Sequence, residues 1–517
     1  MTADVNIREE GKTPEKKTIP ERDAGLQNLD LPAWVPAWAR LAPKISVAPP
    51  GPKSKEIVKL DKEYVSHAYD RVFTFTIDRA AGATVADVDD NLYIDWTSGI
   101  AVMNAGWGHP AVVDAVKSQS EKLIHSFAND TYFDKEAELA RLLSDISFSG
   151  KLRGTFFGNS GAEAVGAAAK LATYHTKKFE FLSFYGAYHG RIGPALNFTS
   201  KLKYRFGFGP LNNTLFAPYA YCYRCPFKME YPSCDLYCMH FMEDQLMNFG
   251  GGTGSLAAVV VEPVQGEGGY VVPPDTFMPF LRKFCDRNNA LLIADEVQSG
   301  LGRTGKMWAS EWSDTVPDIL VTGKAVGGGV PLGAIIAKPE IMKKWRPGTH
   351  SSTFGGNAIQ MAAGIAHINA ILNEKLADRA LLAGNYVLKR LREMQERWEI
   401  IGDVRGRGLM IGVEFVKDRK TKEPLDLTQM QVRCLKKGLL TLTAGPYGNV
   451  MRIAPPLIIS LEFMDKGLEI FESVVKEMQT ELTNAQSPPP ASQPEGGQPV
   501  AQPKPDSAPA RQHQEAM

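Results

Sequence analysis

Three short segments hold residue types that could do chemistry together. In TFFGNSGAEAVGAAAKLATYH (155–175) a strand-like run meets Ser160 and Gly161, and an alanine-rich helix begins at Ala162 or Glu163. Small residues let backbone N–H groups approach an anion, and a helix N-terminus adds donors and a favourable dipole, so this turn suits a phosphate. It also suits a plain strand–helix connection. In LLIADEVQSGLGRTG (291–305) Asp295 and Glu296 stand immediately past an apolar run. In DILVTGK, Lys324 follows the next apolar run and precedes the glycine-rich AVGGGVPLGA. A lysine at the end of a buried strand is costly unless it is used. An anion cradle, a carboxylate to partner a ring nitrogen, and an amine able to condense with an aldehyde are together what a pyridoxal 5'-phosphate site requires.

The elements that must position these residues can be read from the apolar runs. TFFG (155–158), FLSF (181–184), AAVVVE (257–262), ALLIA (290–294) and DILVT (318–322) alternate with helix-like segments. Such runs, apolar on both faces and separated by helices, predict buried parallel strands of an α/β sheet, with ligand groups just past their carboxyl ends. After residue 373 the runs RGLMIGVEFV, GLLTLTA and NVMRIAPPLI and an amphipathic helix predict a smaller α+β lobe. The expected organisation is an N-terminal extension (1–45), partly disordered; a segment (46–104) packing with the small domain; a large domain (105–373) with a cysteine-rich insertion (218–243); a small C-terminal domain (374–484); and a disordered tail (485–517), rich in proline with little to bury.

With these residues in view, the chain resembles the class III pyridoxal-phosphate aminotransferases over residues 55–480. DEVQSGLGRTG, GKAVGGGVPLGA, EPVQGEGG, GAYHGR, STFGGN and GDVRGRG all look like family segments, in the family's order. SGIAVMNAG, YHGR, EPVQGEGG and GPYGNVMRI point most closely to 4-aminobutyrate aminotransferases; PGPKSKEIV, STFGGN, GVEFVKDRKTKE and APPLIIS are similar to archaeal-type amino-acid racemases of the same class. The resemblance implies a fold type I homodimer with active sites at the subunit boundary. Lys324 is then the cofactor's attachment point and general base, Asp295 the partner of the pyridine nitrogen, and Gln298 the contact to the phenolic oxygen. Val297 and Tyr188 pack on the two ring faces. Ser160, Gly161 and Ala162 hold the phosphate, with Thr353 contributed by the neighbouring subunit.

For the substrate, the resemblance implies that Arg405 clamps an α-carboxylate, that Glu267 is a gate acid pairing with that arginine, that Arg191 holds a distal carboxylate, and that Ile100 is an apolar wall beside it. The implied reaction takes the amino group of 4-aminobutyrate or a similar ω-amino acid to 2-oxoglutarate, giving succinate semialdehyde and glutamate. The alternatives are a racemase or epimerase, an ornithine- or acetylornithine-type aminotransferase, disfavoured by Ile100 where those enzymes have a tyrosine, and a silent cofactor-binding scaffold.

Lysines plus arginines and aspartates plus glutamates number 58 each, so no electrostatic footprint for nucleic acid or an anionic membrane stands out. The polar start MTADVNIREEGKTPEKK and the lack of a long apolar run predict a cytoplasmic protein. Four of the six cysteines, Cys222, Cys225, Cys234 and Cys238, crowd one segment as C-x2-C and C-x3-C. That spacing predicts four thiolates around one structural metal, zinc, with packed reduced thiols as the alternative.

Overall fold

In the computed structural model, which describes Leu26 and residues 29–208, 213–248 and 254–486, the apolar runs assemble into three sheets. Most of the expected N-terminal extension and nearly all of the expected tail lie outside the described residues. Near the start, β1 (Ile77–Ala81), β2 (Thr84–Asp87) and β3 (Leu92–Asp95) form an antiparallel meander. The central sheet holds β4 (Gly154–Gly158), β5 (Glu180–Phe184), β6 (Thr214–Ala217), β7 (Leu256–Val261), β8 (Leu291–Asp295), β9 (Ile319–Thr322) and β10 (Gly333–Ala337), in the order β4-β10-β9-β8-β7-β5-β6. The last five of that order run parallel, and β10 is antiparallel to both its neighbours. The carboxyl ends of β4, β5, β7, β8 and β9 therefore share one edge.

Every residue of β7 and of β8 is buried, which is why these strands read as continuous apolar runs rather than as alternations. Each buried valine or leucine contributes about 1.5–3 kcal/mol over leaving it in water. The helix Gly161–Thr176 packs against β9 and β10 through Ala164, Ala167, Ala168 and Ala172, small side chains that allow close approach. Its start is fixed by Ser160, whose extended backbone and hydroxyl cap the Glu163 amide at 3.2 Å.

The C-terminal part carries β11 (Ile401–Arg407), β12 (Met410–Asp418), β13 (Glu423–Pro424), β14 (Leu439–Leu440), β15 (Leu442–Ala444) and β16 (Val450–Ile453). β11, β12, β16 and β15 make an antiparallel sheet, while β14 joins β3 in parallel and stitches the early chain to the late one. Arg303 binds these parts together. It is fully buried and donates to the Leu409 and Pro455 carbonyls, Asn104 Oδ1 and Ser98 Oγ. Burial lowers its guanidinium to about 10.

Candidate active site

The ends of β4, β8 and β9 meet at one point. A Cβ built on Gly161 would lie 3.0 Å from Val297, and one on Gly323 would lie 3.2 Å from the Gly161 Cα. The first turn of the helix at Gly161 leaves amides with no intrahelical acceptor at this spot. Asp295, last in β8, sits level with Val321 of β9, three residues before Lys324. Lys324 is half-buried with φ +45°, an unusual left-handed backbone for a lysine. Burial pulls its ammonium down to about 8, against the opposing pull of Glu267 and other nearby carboxylates.

Asp295 and Glu296, adjacent in sequence, do different work. Asp295 receives the Val297 amide at 3.0 Å on one oxygen and meets His189 Nδ1 at 2.7 Å on the other. Burial disfavours the His189 cation, but the hydrogen bond and charge of Asp295 outweigh it and raise the imidazole. Glu296 accepts from Ser299, Ser310 and the Ala309 amide, a purely structural set. Behind His189, Glu262 accepts the Tyr188 and Gly266 amides, and burial pushes it up to about 7. Gln298 is buried with its Oε1 unpaired among the described residues.

The substrate side departs from expectation. Glu267 pairs with Arg452 Nη1 at 2.5 Å, not with Arg405. The reason lies in the sheet: Arg405 of β11 and Arg452 of β16 both stand opposite Gly412 of β12, so they occupy one rung with a strand between them. The Arg405 guanidinium is engaged by Asp403, Glu414, the Tyr221 hydroxyl and the Gly269 carbonyl. Burial opposes the Glu267 carboxylate, yet Arg452, Lys324 and Lys201 around it hold it below its usual range. Arg191 is exposed at the rim and donates to the Tyr188 hydroxyl at 3.0 Å. Ile100 is 50% exposed on a left-handed turn, Ser98–Ala101, and Thr353 is exposed on the loop before the helix Ala358–Asn373.

Comparison with known proteins decides what this arrangement belongs to. Residues 64–475 match the family described as aminotransferase class-III. The chain belongs to the class III aminotransferases. Over 445 residues it is 37% identical to an alanine/serine racemase of Pyrococcus horikoshii, covering 85% of this chain and 94% of that one. It is 38% identical over 435 residues to a 4-aminobutyrate aminotransferase of Mycobacterium leprae, covering 82% and 96%. The structure of taurine:2-oxoglutarate aminotransferase from Bifidobacterium kashiwanohense with PLP and glutamate superposes with a TM-score of 0.77, at 26% identity, over 83% of this chain and 99% of that one.

This aminotransferase is thus a fold type I enzyme of pyridoxal phosphate, and its residues fit that group. The glycine-lined turn at Ser160, Gly161 and Ala162 would hold the phosphate, Asp295 the ring nitrogen, Gln298 the phenolic oxygen through its amide N–H, and Lys324 the aldehyde. The amine must be neutral to react, so uptake of pyridoxal phosphate by the apoprotein should quicken as pH rises through about 8 and level off by about 9. The absorbance of the bound cofactor reads this directly. A rate still climbing toward 10.5 would show that Lys324 is not withdrawn from water.

At the expected four-thiolate knuckle of the aminotransferase no metal site is shown among the described residues. Cys222, Cys225, Cys234 and Cys238 line one small cavity of about 20 Å³, but among the described residues no three His, Cys, Asp or Glu side chains come together as a metal site. Aromatic and ionic anchors hold the segment: Phe227 packs on Tyr237 and Phe241, while Tyr221 and Arg224 reach Glu414. Burial, reinforced by the other three sulfurs, pushes the Cys238 thiol up to about 12, so it stays protonated.

Reading the sequence misses Arg452, His189, Glu262 and Lys201. Signals existed for two of them. Arg452 is a lone charge in the apolar strand VMRI, and Glu262 stands just past a buried strand, much as Asp295 ends one.

Proposed function

We propose that the enzyme transfers the amino group of 4-aminobutyrate, or a similar ω-amino acid, to 2-oxoglutarate. The observation that carries this reading is the Glu267–Arg452 pair beside Lys324. An ω-amine has no carboxylate next to its nitrogen, so Glu267 neutralises Arg452 while the amine is bound. The α-carboxylate of 2-oxoglutarate displaces Glu267 and takes the planar fork of Arg452. Arg191, at the rim on Tyr188, receives the distal carboxylate, and Ile100 supplies the apolar wall. Pyridoxal phosphate, when bound, supplies an aldehyde for the amine and a ring that accepts an electron pair. Asp295, steadied by His189, keeps a proton on the ring nitrogen. The neutral Nζ of Lys324 takes the proton from the amine-bearing carbon and delivers it to the cofactor's C4'.

The same reading places the active site in a homodimer, with Thr353 turned to the other subunit. A cleft of about 820 Å³ beside the helix Gly161–Thr176 is lined by Phe156, Phe179, Ile192 and Ser352, next to Thr353, and a second copy suits so apolar a face. A cytoplasmic setting suits the six free cysteines; none of the described helices is long and apolar enough to cross a membrane.

The runner-up is a racemase, favoured by the Pyrococcus horikoshii relative, in which an amino acid keeps its own carboxylate on Arg452. The deciding experiment incubates the enzyme with single amines, with and without 2-oxoglutarate, and follows glutamate and optical rotation together. Glutamate from 4-aminobutyrate supports the proposal; racemisation of a neutral amino acid without any oxo acid overturns it. In the same assay, Arg452→Lys should raise the KM for 2-oxoglutarate about 100-fold, because a point charge cannot replace a bidentate fork. Arg191→Ala should instead damage 4-aminobutyrate and spare amines lacking a distal carboxylate. An unchanged KM in Arg452→Lys removes Arg452 from the acceptor site.

A further inference from the structure

The loop that carries Glu267 lies across the rung Arg405–Gly412–Arg452, and each arginine grips it from one side. Arg452 takes the Glu267 carboxylate. Arg405 gives two donors to one backbone oxygen two residues later, Nε at 3.1 Å and Nη2 at 2.7 Å from the Gly269 carbonyl. Gly269 has φ +119°, and a Cβ there would lie 3.2 Å from Arg405 Nη2. Gly412 between the arginines has no room for a side chain to spare, since its Cβ would stand 3.1 Å from the Gly269 oxygen. The loop thus rests flat on the sheet.

Arg405 is itself immobilised from behind. Glu414 of β12, whose side chain is fully buried, receives Arg405 Nη1 at 2.8 Å together with the Tyr221 hydroxyl and the Arg224 guanidinium. Tyr221 also accepts Arg405 Nη2 at 2.8 Å, and Asp403 meets Nη1 at 2.6 Å. A rigid fork with its carboxylates and hydroxyl already satisfied has no free face for a substrate. Its one remaining reach is to the gate loop.

We propose that Arg405 is a positioning residue for Glu267: it fixes the Gly269 carbonyl so that the loop presents Glu267 to Arg452, and the Tyr221–Arg224 end of the cysteine-rich segment belongs to the same clamp. This rests on reading Glu267 as the gate. Loosening the clamp weakens the Glu267–Arg452 pair, which leaves Arg452 less masked for an ω-amine and more open to a carboxylate. The two half-reactions must then move apart, which a general loss of stability does not produce.

The test uses the holoenzyme and three variants, Arg405→Met, Tyr221→Phe and Glu267→Gln. The amine half-reaction with 4-aminobutyrate is followed by cofactor absorbance, and binding of the unreactive dicarboxylate glutarate by calorimetry. In Arg405→Met the amine half-reaction should slow about tenfold while the Kd for glutarate stays level or falls, the same split that Glu267→Gln gives. Tyr221→Phe should show a smaller split in the same direction; it exposes no uncompensated charge, so it answers the question even if Arg405→Met fails to fold. A large rise in the glutarate Kd of Arg405→Met would make Arg405 a direct carboxylate ligand and overturn the proposal. A split in Glu267→Gln reproduced by neither other variant, with only their melting temperatures lowered, overturns the positioning role alone. No split in Glu267→Gln overturns the gate reading, and the positioning role with it.

Discussion

Lys324→Ala is expected to leave a folded enzyme that still takes up pyridoxal phosphate but turns over on the order of 10⁴-fold more slowly. The backbone at Lys324 is left-handed, and alanine meets the same Cβ cost there, so the turn into AVGGG has no new reason to move. The phosphate turn, Asp295 and Gln298 are untouched. What disappears is the one amine placed to hold the aldehyde and to carry the proton. Stability of the apoprotein, in which this amine is free, should rise slightly. The folded protein holds this ammonium at about 8 against an ordinary 10.5, so folding penalises it fully below pH 8, and the penalty fades as pH climbs through 10.5. The gain in Tm from Lys324→Ala should therefore be seen at pH 7 and shrink toward pH 10. Ordinary turnover in this variant would remove Lys324 from its role.

The cofactor end of the site is legible in the sequence because each part ends an apolar run and is followed by small residues. Ser160 after TFFG, Asp295 after LLIA and Lys324 after DILVT read as strand ends, and parallel strands bring such ends to one edge. The substrate end is not legible in that way. Arg405 and Arg452 lie 47 positions apart and both sit in strands, and which of them meets Glu267 depends on β12 running between β11 and β16. Nothing local encodes that order. The cysteine spacing is ambiguous for a different reason. C-x2-C and C-x3-C are compatible with a metal, but the same segment also carries Tyr221, Phe227 and Tyr237, whose ring contacts and hydrogen bonds to Phe241 and Glu414 tie it down independently of the thiols. His189 was hidden because its partner is 106 positions away, on another strand's end.

Asp295→Asn should lower kcat on the order of 10³-fold with little change in melting temperature. Two charges make the difference. A carboxylate beside the ring nitrogen favours its protonated form; an amide offers a hydrogen bond but no charge, and the ring then accepts electrons poorly. Stability responds less because the amide keeps an oxygen facing His189 Nδ1. His189 is raised by Asp295 against the opposing effect of burial, so without the carboxylate burial favours the neutral imidazole, which can still donate to that oxygen. A hydrogen bond kept between groups of the same shape leaves no buried polar atom unpaired. The Val297 amide keeps an oxygen acceptor, so the strand end is not disturbed. The measurement is kcat with and without the substitution, beside the absorbance of the bound cofactor, whose band should shift as the ring loses its proton. His189→Gln should reproduce the direction at a fraction of the size, because it leaves the carboxylate but removes the group that aims it. Rates within tenfold of the parent in Asp295→Asn would mean that another group protonates the ring, and Glu262, held near 7 behind His189, is the carboxyl next in line to examine.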